Sequence, residues 1–168
     1  MSTELELSKF NMRNISFRPN ENKGPVIVLI GRRDTGKSYL VRDLLFHHQD
    51  IPIGTVISGT EAGNGFYSNH VPKLFIHDEY NTVIIENILK RQRTVLKQIK
   101  REIQSYKRST IDPRAFVILD DCLYDSSWTR EKMMRLLFMN GRHWKIMLVI
   151  TMQYPLGIPP NLRTNIDY

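Results

Sequence analysis

Cysteine is nearly absent, since Cys122 is the only one in 168 residues. A single thiol cannot form an intrachain disulfide, and it excludes a zinc site built from cysteines. Long hydrophobic runs are also lacking. The longest have five residues, whereas a helix needs about 20 to span a bilayer. The N-terminus has no basic segment followed by an apolar stretch, which would mark a secretory signal. These absences predict an intracellular, soluble protein without a membrane segment.

Acidic residues are fewer than basic ones, and the chain carries a net charge of +7. All of that excess lies at 90–108, where eight basic residues meet only Glu102. A helical wheel predicts an apolar face of Ile84, Ile88, Val95, Ile99, Ile103 and Tyr106. The opposite basic face is typical of a surface that binds a phosphate backbone without reading its sequence. A solvated face or a subunit contact is the alternative. The basic face consists of Lys90, Arg93, Lys97, Lys100 and Arg101.

Predicted strands alternate with predicted helices along the chain. This order is typical of an α/β fold, a mainly parallel sheet covered by helices on both faces. Residues 1–24 are expected to form an N-terminal arm with room for one short strand, and 25–168 a single domain. Strands are predicted at 26–30, 54–58, 116–119 and 145–151, a short edge strand at 73–77, helices at 37–48, 81–108 and 129–138, and loops at 59–65 and 155–160.

Residues 31–38 read G-x-x-x-x-G-K-[ST], between a β-branched run and a helical pattern. Glycines let the loop curl so that its amides and the following helix N-terminus cradle phosphates. Lys37 can reach the β- and γ-phosphates, and the Ser38 hydroxyl can ligate Mg²⁺. The loop therefore predicts a P-loop NTPase that binds ATP with Mg²⁺. The residues expected to contact the nucleotide are Gly31, Arg32, Arg33, Asp34, Thr35, Gly36, Lys37, Ser38 and Tyr39.

An acidic pair, Asp120 and Asp121, ends the apolar strand at 116–119. Asp120 is expected to hold Mg²⁺, and Asp121 to act as general base toward water. Alone, two exposed acids at a strand end would be ordinary; together with the phosphate loop they form the second half of one site. In the additional-strand (RecA-like) type of P-loop fold, a residue that positions water stands between the loop strand and the acidic strand. Gln153, after the strand at 145–151, is the candidate.

Two arginines are candidates for completing the site of a neighbouring subunit, as ring ATPases often require. Arg142 precedes the strand at 145–151, and Arg163 follows it. Arg142 could instead act within its own chain. A surface role is the alternative for both.

Five segments together resemble the genome-packaging ATPases of nucleocytoplasmic large DNA viruses, of the poxvirus and mimivirus type, within the FtsK/HerA group. The resemblance implies a pentameric or hexameric ring that uses ATP and Mg²⁺ to move double-stranded DNA into a preformed capsid. It also implies a capsid or portal partner, the host cytoplasm or the virion as location, and a trans-acting arginine. It assigns nucleotide and Mg²⁺ binding to Lys37, Ser38 and Asp120, water activation to Asp121, and a sensor role to Gln153. The segments are GRRDTGKS at 31–38, VPKLFIH at 71–77, ILDD at 118–121, NGRH at 140–143 and QYPLGIPPNLR at 153–163.

The sequence differs from the family in two respects, and it is also compatible with two other functions. Family members are usually longer, and residues 165–168 look like the start of a further strand. Many ATPases of this class have Glu where this chain has Asp121. The alternatives are a small-molecule or nucleotide kinase and a non-catalytic nucleotide-binding switch that binds DNA. The paired acids and Gln153 favour a hydrolase over a kinase.

Overall fold

Five strands form one parallel sheet in the computed structural model, which describes residues 10–17, 23–154 and 158–168. The strand order is β1-β5-β4-β2-β3, and every neighbouring pair is parallel. In chain order the strands and helices are β1 Val26–Ile30, α1 Lys37–His47, β2 Gly54–Ser58, α2 Glu61–Asn64, β3 Ile76–His77, α3 Thr82–Tyr106, β4 Ala115–Asp120, α4 Lys132–Asn140, β5 Ile146–Met152 and α5 Pro160–Arg163.

Apolar side chains cover both faces of the sheet, because successive residues of a strand point to opposite sides. In β4, Phe116 and Ile118 belong to the core shared with α1, whereas Val117 and Leu119 belong to the core shared with α3 and α4. All six residues of β4 are buried. The predicted α/β fold with helices on both faces is confirmed.

The strand order places β5 between β1 and β4, which is the additional-strand arrangement predicted from the sequence. Parallel strands end at the same edge of a sheet, so the loop after β1 and the acids at the end of β4 meet there. In the register, Thr151 lies opposite Asp120, and Met152 lies opposite Ile30. The carboxyl edge therefore gathers the predicted site from segments far apart in sequence.

Local structure departs from the prediction in three places. The predicted loop at 59–65 contains the short helix α2, and the buried Glu61 carboxylate at its start accepts hydrogen bonds from two amides of the following turn. The edge strand is confined to β3, since Lys73–Phe75 form a 3₁₀ turn. The helix predicted from 129 begins only at Lys132, after a 3₁₀ turn over Ser126–Arg130.

Both ends of the described chain pack onto the domain. In the predicted arm, residues 10–17 form a 3₁₀ turn at Met12–Asn14, and residues 1–9 and 18–22 lie outside the described residues. The further strand predicted at 165–168 is not formed. The segment nevertheless hydrogen-bonds to β1: the Asp167 amide donates to Val26 and the Val28 amide donates to Tyr168. Of the predicted closing loop, 155–157 are not described, and Pro160 begins α5.

The second half of α3 projects beyond the sheet. Gln92 is fully buried, and its Nε2 donates to the backbone oxygens of Pro113 (2.8 Å) and Trp144 (2.7 Å), just before β4 and β5. No residue from Arg93 to Tyr106 is buried. At 1.5 Å per residue, this part extends roughly 21 Å. None of the described helices, α3 included, is long and apolar enough to cross a membrane.

The predicted apolar face of α3 is only partly buried. The core side chains of the helix are Ile85, Leu89 and Gln92. Ile103 and Tyr106, on the second half of the face, are 49% and 75% exposed. This half extends beyond the sheet and is not buried within the described part of the chain.

Replacing Gln92 by leucine is expected to lower the free energy of unfolding by about 2–4 kcal/mol, because two inward carbonyls lose their donor. Urea unfolding monitored by circular dichroism measures this. Gln98→Leu makes the same change on the projecting half, where Gln98 is exposed, and should cost less than about 0.5 kcal/mol. Equal losses in the two variants would contradict the anchoring role of Gln92.

Candidate nucleotide site

The phosphate loop has the curled backbone that its sequence predicts. Gly36 has a φ of 87° and Asp34 a φ of 58°, both in the left-handed region. A Cβ at Gly31 would lie 2.7 Å from the Thr35 hydroxyl oxygen, so a side chain there would displace that hydroxyl. The Lys37 Nζ donates to the carbonyl oxygens of Gly31 and Arg32, at 2.8 Å each. The carbonyl oxygens of the loop thus hold the Lys37 ammonium group beside the predicted phosphate site.

The acidic pair is held by a threonine that the sequence analysis did not identify. Thr151 Oγ1 donates to Asp120 Oδ1 at 2.6 Å and accepts from the Asp121 backbone N–H at 2.9 Å. The other oxygen of Asp120 accepts from the Ser38 hydroxyl at 3.3 Å. Thr151 is the polar residue in the otherwise apolar strand β5. This contrast is the sequence feature that could have identified it as a site residue. The buried Thr151 hydroxyl therefore links the carboxylate of Asp120 to the backbone amide of Asp121.

Gln153 lies beside Asp121. Its Nε2 donates to Asp121 Oδ2 at 2.7 Å, so the amide orients the carboxylate directly. Asp121 has a φ of 49°, a left-handed conformation that turns the chain at the end of β4. The sequence analysis expected Gln153 to contact water or phosphate, and in this structure its partner is the acid.

Tyr67 is a further side chain at this site that sequence reasoning missed. Its ring is 1% exposed, and its hydroxyl has no hydrogen-bond partner within the described part of the chain. Burial raises the pKa of this hydroxyl far above its usual range, and the adjacent Asp120 carboxylate raises the pKa further. Tyr67 follows the predicted loop at 59–65 and was assigned to no predicted element, so the sequence gave no signal for a buried residue there.

The donor set at this edge fits a magnesium ion. Ser38 and Asp120 offer a hydroxyl and a carboxylate oxygen, the hard ligands that Mg²⁺ prefers. Magnesium usually binds through one or two protein groups together with substrate phosphates and waters. Tyr67 adds a buried hydroxyl without a partner next to these two groups.

A cavity of about 600 Å³ adjoins the acidic pair, lined by residues that follow β2, β3 and β4. Cys122 is on its wall, and burial raises the pKa of that thiol to about 12, so it stays protonated and inert. A larger cavity, about 910 Å³, includes His48 and Gly54. It lies near the opposite edge of the sheet, where β2 begins, and is remote from the phosphate loop.

Arg142 does not lie near the phosphate loop of its own chain, which corrects the expectation that it could act there. It precedes β5, at the amino edge of the sheet, whereas the loop follows β1 at the carboxyl edge. Its guanidinium is 14% exposed and forms an ion pair with Asp167 at 3.2 Å. Arg163 is exposed, and its Nε donates to the Ile158 carbonyl at 2.8 Å.

The five predicted nucleic-acid contacts are all exposed on α3. Lys97, Lys100 and Arg101 lie on the projecting half, and Lys90 precedes Gln92. The Arg93 guanidinium lies 4.8 Å from the centre of the Trp144 ring, so it also packs against the domain. The basic surface is therefore separate from the carboxyl edge.

Thr151→Val is expected to lower the free energy of unfolding by about 1–3 kcal/mol, since a buried carboxylate oxygen and an amide lose their partner. Valine has the same shape, so packing is retained. Thr55→Val in β2 is the matched control and should change stability by less than about 0.5 kcal/mol. Chemical unfolding of both variants measures the difference. A Thr151→Val protein as stable as the control would contradict the bridge.

A parallel sheet of additional-strand order, with a glycine-bounded loop after its first strand and an acidic pair after a central one, defines a P-loop NTPase fold. The family comparison then gives a narrower assignment: the model of the "Poxvirus A32 protein" family matches residues 10–168. The chain belongs to this family, which confirms the resemblance inferred from the sequence.

Relatives at the sequence level come from other large DNA viruses. The uncharacterized protein L437 of Acanthamoeba polyphaga mimivirus is 40% identical over 98% of this chain. The uncharacterized protein 075L of Invertebrate iridescent virus 6 is 44% identical over 97%. The chain spans only 56% and 59% of these two relatives.

Solved structures share the fold at low sequence identity. The pCW3 conjugation coupling protein TcpA, in its monomer form with ATPgS, matches 86% of this chain and 47% of its own, with a TM-score of 0.62 and 16% identity. The genome packaging NTPase B204 from Sulfolobus turreted icosahedral virus 2, in complex with AMPPCP, matches 86% and 71%, with a TM-score of 0.52 and 19% identity. At these identities the likeness supports the fold alone.

Proposed function

We propose that this chain is the ATP-hydrolysing part of a motor that moves double-stranded viral DNA into a preformed capsid. The observation that carries the proposal is the constellation at the carboxyl edge, where the phosphate loop, the Ser38–Asp120 pair and the Asp121–Gln153 pair meet. Membership in the poxvirus A32 family supports it. So does the fold shared with a protein described as a genome packaging NTPase.

Nucleotide binding begins with an exchange of partners at Lys37. In this structure the ammonium donates to two carbonyls of its own loop. Phosphate oxygens carry more charge than these carbonyls and compete well for the same donors. Residues Gly31 to Tyr39 then line the triphosphate, with the loop amides and the N-terminus of α1 facing it.

Ser38 and Asp120 are the residues that would hold Mg²⁺. When bound, the ion neutralises phosphate charge that develops during the reaction. Asp120 is held in position by two hydrogen bonds: Thr151 donates to one carboxylate oxygen and Ser38 donates to the other. Those two hydrogen bonds hold the carboxylate oriented toward the loop.

Hydrolysis needs a base for the attacking water, and Asp121 supplies it. The carboxylate accepts a proton from the water while Gln153 holds one of its oxygens. The left-handed backbone at Asp121 and the bond from its amide to Thr151 aim the shorter acid at the site. This geometry supports a role for Asp121 as the base at a position where many related ATPases have Glu.

Double-stranded DNA is proposed to contact the projecting half of α3. Its lysines and arginines are exposed, and the helix extends past the sheet, away from the nucleotide edge. Such contacts neutralise phosphates regardless of base sequence and weaken steeply with salt. No membrane partner is proposed.

The active assembly is proposed to be a ring of five or six subunits, with a capsid or portal component as partner, in the host cytoplasm or the virion. An arginine from one subunit would then reach the nucleotide of the next. Arg163 is favoured for this role because it is exposed, whereas Arg142 is paired with Asp167 in its own chain.

The test is phosphate release from ATP and Mg²⁺, measured with and without double-stranded DNA over a range of salt. We expect turnover that DNA stimulates, with less stimulation as salt rises. Turnover indifferent to DNA would leave an ATPase but refute the motor. Turnover only after addition of a phosphate acceptor would favour a kinase, and binding without turnover would favour a nucleotide-binding switch.

The basic surface is tested by measuring DNA binding over a range of salt after Lys97, Lys100 and Arg101 are changed together to glutamate. Each lost phosphate contact lowers the salt dependence of DNA binding by about one unit of slope. The control changes Lys73, Lys132 and Arg135, which are exposed elsewhere. Equal loss of DNA binding in both triple variants would refute a specific role for α3.

A further inference from the structure

Tyr67 is buried against the two groups that would hold the metal. It lies in the 3₁₀ turn Tyr67–Asn69, and its ring packs edge-on against Phe66 with centroids 5.0 Å apart. Only 1% of the residue is exposed. The side chain thus reaches from a turn after α2 into the core between α1 and the sheet, where Ser38 and Asp120 face its hydroxyl.

The turn that carries Tyr67 is anchored by a buried carboxylate. Glu61 accepts the backbone amide of Tyr67 on one oxygen and that of Ser68 on the other, both at 2.8 Å. Charge-assisted hydrogen bonds to two successive amides fix the backbone strongly. The backbone that carries the buried Tyr67 side chain is therefore held in place.

This hydroxyl has no partner within the described residues. Each of the two oxygens of Asp120 already accepts one hydrogen bond, from Thr151 and from Ser38. Leaving a buried donor unsatisfied is unfavourable, and folded proteins keep such groups mostly where a ligand or function uses them. The missing partner is expected to come from outside the protein.

We propose that Tyr67 is a positioning residue of the nucleotide site, whose hydroxyl donates a hydrogen bond to an oxygen that arrives with bound Mg²⁺ and nucleotide. The inference rests on the proposed function. The oxygen belongs either to a phosphate or to a water carried by the ion. In both cases Tyr67 fixes the bound group relative to Ser38 and Asp120, and the hydroxyl gains its partner only on binding.

The test compares Tyr67→Phe with the unchanged protein in calorimetric titrations with a non-hydrolysable ATP analogue, with Mg²⁺ and with a chelator. We expect affinity with Mg²⁺ to fall about five- to tenfold, as for one lost hydrogen bond. A loss confined to Mg²⁺ identifies a water, whereas an equal loss under both conditions identifies a phosphate. Unchanged affinity under both conditions would overturn the proposal.

Thermal unfolding without nucleotide gives an independent readout. Phenylalanine removes a donor that lacks a protein partner, so the Tm of Tyr67→Phe should stay equal or rise. A lower Tm would overturn the proposal, since the hydroxyl would then serve folding. Tyr80→Phe is the matched control: it removes a hydroxyl that donates to Glu131 at 2.7 Å, so its Tm should fall while nucleotide affinity stays the same.

Lys37→Ala separates this inference from the proposed function. If Lys37→Ala loses nucleotide affinity while Tyr67→Phe keeps it, only the role of Tyr67 is refuted. If Lys37→Ala also binds as the unchanged protein does, the nucleotide site itself is refuted.

Discussion

Lys37→Ala is expected to lower ATP turnover at least about a hundredfold, equivalent to about 2.7 kcal/mol of transition-state stabilisation. The ammonium is the one side-chain cation that the loop itself fixes at the cradle, through two carbonyls at 2.8 Å. Alanine leaves the phosphates with backbone amides only. Steady-state phosphate release at saturating ATP measures the loss.

The same variant should also bind nucleotide more weakly, because the ammonium contacts phosphate in the ground state as well. Lys73→Ala is the matched control, since Lys73 is exposed on the turn before β3. Both variants should unfold at similar temperatures. Turnover that survives in Lys37→Ala would refute the assignment of the phosphate loop as the site of hydrolysis.

Asp121→Asn is expected to lower turnover about a hundred- to ten-thousandfold, the usual range for loss of a general base. Asparagine keeps the shape and can still accept from Gln153, and the backbone bond to Thr151 is unaffected. Nucleotide affinity should therefore change by less than about threefold, which is under 1 kcal/mol. Single-turnover hydrolysis with parallel binding titrations measures both quantities.

Asp125→Asn provides the comparison for this variant. Asp125 is an exposed acid a few residues along the same loop, and it caps the turn at Ser126–Arg130 through the amide of Ser127. Turnover should be nearly normal in that control. Equal turnover in Asp121→Asn and the unchanged protein would remove the base from the mechanism and favour a nucleotide-binding switch.

Much of the fold was predictable because it rests on contiguous patterns. The runs at β2, β4 and β5 are almost wholly buried, β1 is buried at its first two residues, and all four stood out as strands. The phosphate loop was predicted from its own residues, as its geometry depends on two glycines and a following helix. Edges and short helices were less predictable, because α2 depends on a bond from Glu61 to amides six and seven residues away.

The site was only partly predictable for a similar reason. Lys37, Ser38, Asp120 and Asp121 belong to local motifs, so their spacing alone predicted them. Tyr67 and Thr151 belong to no motif, and their importance comes from distances to residues remote in sequence. The hydrogen bond from Gln153 to Asp121 likewise depends on the neighbouring positions of β4 and β5 and could not be predicted from a local motif.

By itself, the sequence determined which chemical groups are available: a phosphate loop, paired acids and a basic segment on one helix. The tertiary structure decided which of these meet. Strand order inserts β5 between β1 and β4 and so brings Thr151 and Gln153 to the acids. The second half of α3 extends past the sheet, and none of its residues is buried within the described chain. The physical reason is that motif chemistry is encoded by neighbours in the chain. Register and burial depend instead on pairing between segments that are distant in sequence.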